Sequence, residues 1–483
     1  MPSDAKTDSA RAGLPTEPVS TGRFLQIFSA VMLPIFLAAA DQTLLATATP
    51  SIAADLGGLR DTTWVSVAYL IAMTVSVPLY GRLGDRYGRR DTLLVALGIF
   101  SVGSVACGSA ASLAMLVASR VLQGLGGGGL MVMSQALIGE LVPPRERARF
   151  QAYFATNFTL ANVGGPLIGG LVVHHASWRW LFLANLPLCA LASWRLLRLP
   201  RGSGDARAAP ADPIGAIVFA AAVTASLIWA TFAGYRFTFT SITSVALVAG
   251  SLLLWAMLIT RELRRRDPFL PIELLRDRSM RYLSLSVVSF ASCLFALIFF
   301  LPVLLQIGHG ADARQAGALL LPLTLGIVAG STVTGRIVSR TGRPARMPVA
   351  GLSISCVALI LMGALPARSD LIAACGALCG FGFGSVMPSA QIISQTLAGR
   401  ERLGAAASIV SLSRYSGAAL GTAIFGAVVF ALAPGSSGRI DLHSLTPETA
   451  TQLSQAIRIG FGALAAVAAI GAWFASRIQQ IRL

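Results

Sequence analysis

Among 21 acidic residues, Asp41 alone falls inside a long apolar stretch; the others sit in polar segments between such stretches. A carboxylate near the centre of a membrane helix costs roughly 2.5–3.5 kcal/mol on insertion scales, so its presence asks for a functional reason. Burial raises a carboxyl pKa and a neighbouring cation lowers it, so an acid whose surroundings alternate can take up and release a proton. Arg120, one of two arginines within apolar stretches, is the partner this reading expects; a permanently paired, non-titrating Asp41 is the alternative. Arg414 is the second such arginine and can serve either an anionic substrate group or a structural pair. Gln391 and Gln395, four apart, and Phe295 complete the candidates for a central cavity.

A second cluster is the run Gly81-Arg82-Leu83-Gly84-Asp85-Arg86-Tyr87-Gly88-Arg89-Arg90. It is too short to do more than turn between two helices, with glycines for backbone freedom. Asp85 is an acid among four arginines, which does not help topology. Near the start of the next helix it can meet a positive helix end and an arginine. A charge cluster of this kind can hold a gate shut until it is broken. A third feature is Gly165-Pro166-Leu167-Ile168-Gly169-Gly170. Glycines four apart let helices approach closely in lipid, and Pro166 removes a backbone donor. Ordinary tight packing and the sealing of a closed cavity are both open readings of it.

The elements that must position these residues are membrane helices. The chain has 483 residues, of which 55% are hydrophobic and 12% charged, with a mean hydropathy of +0.71. Soluble domains carry roughly 25% charge. Fourteen apolar windows can be read, each near the ~20 residues that cross a bilayer. With the amino terminus inside, the inner segments hold 29 Lys and Arg and the outer loops seven. That asymmetry predicts both termini in the cytoplasm, and it accounts for the net charge of +17 without nucleic acid. The lipid bilayer is the expected partner, and a cell inner (plasma) membrane the expected location. Six cysteines in apolar windows without a CxxC pair, and four histidines in outer loops or at window ends, make no metal site.

The chain also repeats. Gly335 to Arg343 echoes Gly81 to Arg90 at an offset of 254 with Ser339 in the place of Asp85, so only the first copy is expected to gate. Arg400-Glu401-Arg402 echoes Arg145-Glu146-Arg147, and Gly417 and Gly421 echo Gly165 and Gly169. The offsets skip the windows 213–233 and 242–260. The expected organisation is an all-α membrane protein with a cytoplasmic tail 1–23, an N-terminal six-helix bundle 24–197, a linker 198–281 with two extra spans, a C-terminal six-helix bundle 282–476 and a tail 477–483.

These motifs resemble those of the major facilitator superfamily, and within it the fourteen-span drug:proton antiporters. The Gly81–Arg90 loop is similar to the superfamily signature after span two. Arg120, Gln123 and Gly124 resemble the fourth-span signature of proton-coupled members, and Gly165-Pro166 with Gly169 and Gly170 the exporter motif, although its leading glycine is Ala161 here. Asp41-Gln42-Thr43 through Pro50 resembles the branch's first-span motif, with Ala46 where Asn is usual. The resemblance implies proton coupling at Asp41 and Arg120, and a cytoplasmic gate at Gly81, Asp85, Arg86, Gly88 and Arg89. It implies a monomeric antiporter for small amphipathic molecules such as drugs, antiseptics or antibiotics, driven by the proton gradient without a cofactor. An importer or facilitator of a defined metabolite shares the fold and is the alternative. An enzyme would need clustered His, Asp, Glu or Ser on neighbouring spans, and none is read.

Overall fold

The computed structural model describes residues 21–57, 61–202, 212–232, 236–238, 241–265, 269–309, 320–365, 368–432 and 447–483. Most of the tail 1–23 and residues 203–211 of the linker lie outside them. The described residues are helical, with no β-strand among them. The N-terminal helices are α1 (Thr21–Leu56), α2 (Thr63–Tyr87), α3 (Arg89–Gly108), α4 (Leu113–Leu141), α5 (Pro144–His175), α6 (Arg179–Leu183) and α7 (Asn185–Leu197). A hairpin follows, α8 (Pro213–Phe232) and α9 (Ile242–Arg264), and then a short 3-10 helix, Ile272–Arg276. The C-terminal helices are α10 (Arg278–His309), α11 (Leu321–Thr341), α12 (Arg346–Ala364), α13 (Ser369–Gly384), α14 (Val386–Ala398), α15 (Leu403–Leu432) and α16 (Pro447–Ser476).

Among the described residues, 12 helical stretches are long and apolar enough to cross a membrane, counting α6 with α7 and α13 with α14 as one each. Helices α5 and α15, of 32 and 30 residues, are not among the twelve. Two expected spans are broken, at Ala184 and at Ser385. Helix α1 begins at Thr21, inside the segment expected to be a tail.

Packing repeats between the two ends of the chain. Helix α2 packs on α4 as α11 packs on α13, and α1 on α5 as α10 on α15. The glycines found in the sequence make the last two contacts. A Cβ on Gly165 would run into Thr43 of α1; on Gly417 or Gly421 it would run into the α10 backbone at Val288 or Ser292. The two largest apolar clusters among the described residues are separate, one around Ile35, Tyr69, Phe100 and Phe150, the other around Leu297, Phe383, Phe425 and Phe461. Without water inside a bilayer, such close packing does the work that the hydrophobic effect does elsewhere.

The α8–α9 hairpin sits beside the seam where α2 meets α15. Asp212 caps α8, accepting from Gly215 N at 3.2 Å, and takes two nitrogens of Arg261 at 2.6 and 2.8 Å. Arg265 adds a contact at 2.9 Å. The Arg261 hydrogen bonds hold the Asp212 carboxyl well below the usual carboxylate range. At the opposite face, Asp55 after the apolar part of α1 accepts from Arg179 at 2.5 Å and from Trp178 Nε1 at 3.1 Å, which lowers its carboxyl pKa in the same way.

Candidate functional site: a buried ion pair and an inter-bundle lock

Asp41 lies on α1 and Arg120 on α4, and the fold brings them together: Asp41 Oδ2 accepts from Arg120 Nη1. Both are buried, with 4% and 1% of their surface exposed, so Asp41 does not sit in an open water-facing vestibule. The pair is part of a network. Asp41 Oδ1 accepts from Gln123 Nε2 at 2.9 Å and from Asn185 Nδ2 at 3.3 Å. Gln123 also accepts from Arg120 Nη1 at 2.7 Å and donates to Ser104 at 2.9 Å. Arg120 Nε donates to the Val65 carbonyl at 3.1 Å, and the guanidinium lies 4.1 Å from the Tyr69 ring centroid. Five helices, α1, α2, α3, α4 and α7, thus converge on one carboxylate. A buried charge is tolerated when its partner and hydrogen bonds are this complete.

Local sequence explains the convergence. Helix α4 carries Gly124, Gly126, Gly127, Gly128 and Gly129 directly after Arg120 and Gln123. A Cβ on Gly124 would meet the Tyr69 backbone, and one on Gly126 the Phe100 backbone. This smooth strip lets α2 and α3 close on α4 and brings Val65, Tyr69 and Ser104 within bonding range. Gln123 and Asn185 carry no charge, and in the sequence Gln123 stood out only as a member of a motif. Their polar heads are what fix the carboxylate's second oxygen.

The Gly81–Arg90 run forms the second part of the site; expected as a turn, it is helical up to Tyr87 and again from Arg89, so Gly81 and Gly84 lie within α2 and the chain turns at Gly88 alone. Gly88 has φ +93°, a conformation open to glycine, and it turns the chain from α2 into α3. Asp85 accepts from Arg89 at 2.9 Å, as the sequence suggests. The helix end it meets is not that of α3, however. Its two oxygens accept from Gly404 N at 2.9 Å and Ala405 N at 3.0 Å, the first turn of α15 in the C-terminal bundle. Asp85 belongs to the last turn of α2 and so points across the seam. Backbone amides there are free to bind an anion, and no sequence signal advertises them.

Arg89 strengthens the lock, pairing with Glu140 of α4 at 3.0 Å and donating to the Arg400 carbonyl at 2.8 Å. Gly81 permits it, since a Cβ there would lie 2.8 Å from Gly404 O and run into Ser408 Oγ. Arg86 stays out of the lock, 5.5 Å from the ring centroid of Tyr87. In the echo loop Ser339 bonds its own helix at Arg336 O, 2.9 Å away.

The other candidates scatter. Gln391 and Gln395 are buried, and Gln395 donates across the seam to Gln135 O at 3.0 Å while its amide rests against Gly139. Gln395 therefore lies in the closed contact between α14 and α4. Phe295 is half-buried against the C-terminal core. Arg414 lies 4.6 Å from the Tyr415 ring centroid and 5.8 Å from that of Phe158 on α5, at the seam. Gly165 and Gly169 are buried, Gly170 is exposed, and Pro166 falls within α5.

Two helical bundles joined at one face, with a buried ion pair inside one of them, define a membrane carrier rather than a water-soluble catalyst. The chain belongs to the Major Facilitator Superfamily, whose model matches residues 31–422. That family is one of transporters, not of enzymes. An uncharacterized MFS-type transporter of Mycobacterium tuberculosis is 35% identical over 438 residues, covering 88% of this chain and 62% of that protein. The chain thus spans less than two thirds of that relative's length. The multidrug transporter protein MdtP of Bacillus subtilis is 30% identical over 423 residues, 87% of this chain and 77% of that one. Among solved structures, the human organic anion transporter MFSD10 superposes with a TM-score of 0.67 at 15% identity, covering 93% of this chain and 99% of that one. The proton:xylose symporter XylE gives 0.65 at 12%, covering 95% and 97%. At these identities the likeness is one of fold.

Proposed function

We propose that the protein is a proton-driven antiporter that exports small amphipathic molecules by alternating access. The observation that carries this reading is the Asp41–Arg120 pair, a lone intramembrane acid held by a cation and two neutral donors. Protonating Asp41 would remove one charge of the pair and release Arg120 and Gln123 to re-form their bonds. That is a local change able to bias two packings of α1 against α4. The Asp85 lock belongs to one of the two global states, closed at the loop face. The likeness to Bacillus subtilis proteins named for multidrug transport and multidrug resistance supports export.

In this reading α5 and α15 also cross the bilayer, giving fourteen spans as six plus two plus six, with both termini and the Gly81–Arg90 loop in the cytoplasm. The protein works as a monomer in the inner membrane, uses no cofactor, and draws on the proton gradient. Proteoliposomes loaded with buffer of one pH and diluted into another test it directly. Accumulation of a fluorescent cation such as ethidium should follow the imposed gradient in sign and collapse with a protonophore. Ethidium flux that ignores the gradient would remove proton coupling and leave a facilitator.

A further inference from the structure

A cavity lies outside the ion pair and the lock. It measures about 610 Å³ and runs between the α8–α9 hairpin on one side and α10 and α15 on the other. Its floor is Leu270 to Ile272 at the loop face, and Thr74 of α2 backs it. The hairpin wall is stiffened from within: Ser226 and Ser251 bond at 2.7 Å, Trp255 Nε1 donates to Ser226 at 3.1 Å and Trp229 Nε1 to Ser244 at 2.8 Å. At the rim, Leu252 and Leu420 are 64% and 51% exposed on the lateral flanks of α9 and α15. In a bilayer that rim faces lipid.

Two features make this more than a gap between helices. First, none of the described residues that line it is charged, yet two hydroxyls in its wall, Ser284 Oγ and Tyr415 Oη, are buried without a hydrogen-bond partner. Buried hydroxyls in native proteins are nearly always paired, so two orphans in one apolar wall await an acceptor. Second, Tyr415 joins the cavity to the ion pair. Its ring packs against the N-terminal core that contains Tyr69, and the Tyr69 ring is the one that Arg120 overlies. A mostly apolar pocket of several hundred Å³ with a few polar groups is the usual form of a small-molecule site.

We propose that this groove takes up an uncharged, lipophilic molecule bearing a hydrogen-bond acceptor from the adjoining leaflet, with Ser284 and Tyr415 as its donors, and passes it past Tyr415 toward Asp41. The inference rests on the export reading for its direction, but not for the binding step. An uncharged lining selects an uncharged guest, because a charge there would be desolvated with nothing to pair it.

The test uses Nile red, a neutral dye with a carbonyl acceptor, and the full chain in lipid nanodiscs without any gradient. Wild type should bind it saturably. Ala419→Trp on α15 and Val248→Trp on α9 fill the groove from opposite walls and should each weaken binding tenfold or more. Two variants keep the test intact if one fails to fold. Tyr415→Phe should weaken binding about threefold to tenfold, the worth of one neutral hydrogen bond. Asp55→Asn, at the opposite face and outside the groove, the ion pair and the lock, should leave it unchanged. In vesicles the two Trp variants should slow Nile red export at least fivefold. Saturable binding untouched by both Trp substitutions would overturn the site. Export at the wild-type rate despite lost binding would overturn the route. A phospholipid retained by wild type in native mass spectrometry, lost from the Trp variants and not displaced by dye, would overturn the occupant and make the groove a structural lipid site.

Discussion

Asp41→Asn separates energy coupling from transport, and the structure sets the size of each effect. Asparagine keeps the shape of the side chain and one oxygen able to accept from Gln123, which now donates at 2.9 Å. It removes the negative charge facing Arg120, a side chain 1% exposed. Breaking a buried pair by removing one partner typically costs about 3–5 kcal/mol. Arg120 still has Gln123 Oε1 at 2.7 Å, the Val65 carbonyl at 3.1 Å and the Tyr69 face at 4.1 Å, so the lower end of that range is expected. The double variant Asp41→Asn with Arg120→Gln buries no net charge and should recover most of the lost stability, readable as a thermal shift in detergent.

Transport should divide differently. One proton moving down a gradient of two pH units can sustain about a hundredfold substrate ratio, since each unit is worth 1.36 kcal/mol. In proteoliposomes with that gradient, Asp41→Asn should drop the ratio to about one while substrate exchange between equal pools continues. A hundredfold ratio maintained by Asp41→Asn would refute the assignment and move the proton elsewhere, with Glu140, paired to Arg89 at 3.0 Å, the next carboxylate to test. Loss of exchange and of driven transport together, in a variant whose thermal unfolding is normal, would equally refute the separation of roles.

Asp85→Asn loses a charge that accepts from Gly404 N, Ala405 N and Arg89; with charged hydrogen bonds worth about 1.5–3 kcal/mol each, the loop-closed state should lose at least tenfold in population and efflux should fall accordingly, at normal expression. Labelling of a cysteine placed at the loop-face seam should rise in parallel; unchanged efflux and labelling would remove the lock. Gly81→Val drives a side chain into Ser408 and the Gly404 backbone, so it should block closure outright and abolish efflux while leaving the unfolding temperature of each bundle near wild type. Asp212→Ala should cost roughly 2 kcal/mol and free the hairpin to limited proteolysis. Because the Asp212 carboxyl is held below its ordinary value, its contribution is full above pH 3.8 and is lost only as the pH falls below that, so wild-type proteolytic resistance should be flat from pH 8 to pH 5.

Helix positions and the main ionic partners were legible in the sequence because charge is scarce in it. An acid and an arginine in apolar windows mark themselves, and Asp41 meets Arg120 as the reading expected. The duplicated glycines likewise pointed to equivalent contacts, α5 on α1 and α15 on α10. What the sequence hid is what neutral groups and backbone do. The second oxygen of Asp41 is held by Gln123 and Asn185, whose residue types are common in any polar site. The partner of Asp85 is a pair of backbone amides at Gly404 and Ala405, more than 300 positions away, so the helix end expected for it was the nearer and wrong one. The offset between repeats set the hairpin apart from the bundles; only packing shows that it flanks α2 and α15 and encloses a groove with them.

Ion pair and lock share one element, and that sharing bears on how a proton at one could be felt at the other. Arg120 and Glu140 are twenty positions apart on α4, about 30 Å along a helix. Between them the glycine strip brings α4 against the backbone of α2 at Tyr69 and of α3 at Phe100. With no side chains to slide, α2, α3 and α4 have little freedom to shift separately, and packed interfaces of this kind switch rather than deform. Asp85 and Arg89 lie at the far ends of α2 and α3, where Arg89 grips both Glu140 and the Arg400 carbonyl. A tilt of α4 away from α1 on release of Arg120 would therefore pull on the lock through the same three helices. Contiguity alone does not establish coupling. A double-mutant cycle does: the effects of Asp41→Asn and Asp85→Asn on loop-face labelling should depart from additivity by 0.5 kcal/mol or more if the unit is rigid. Additive effects within about 0.3 kcal/mol would mean that the two sites act independently.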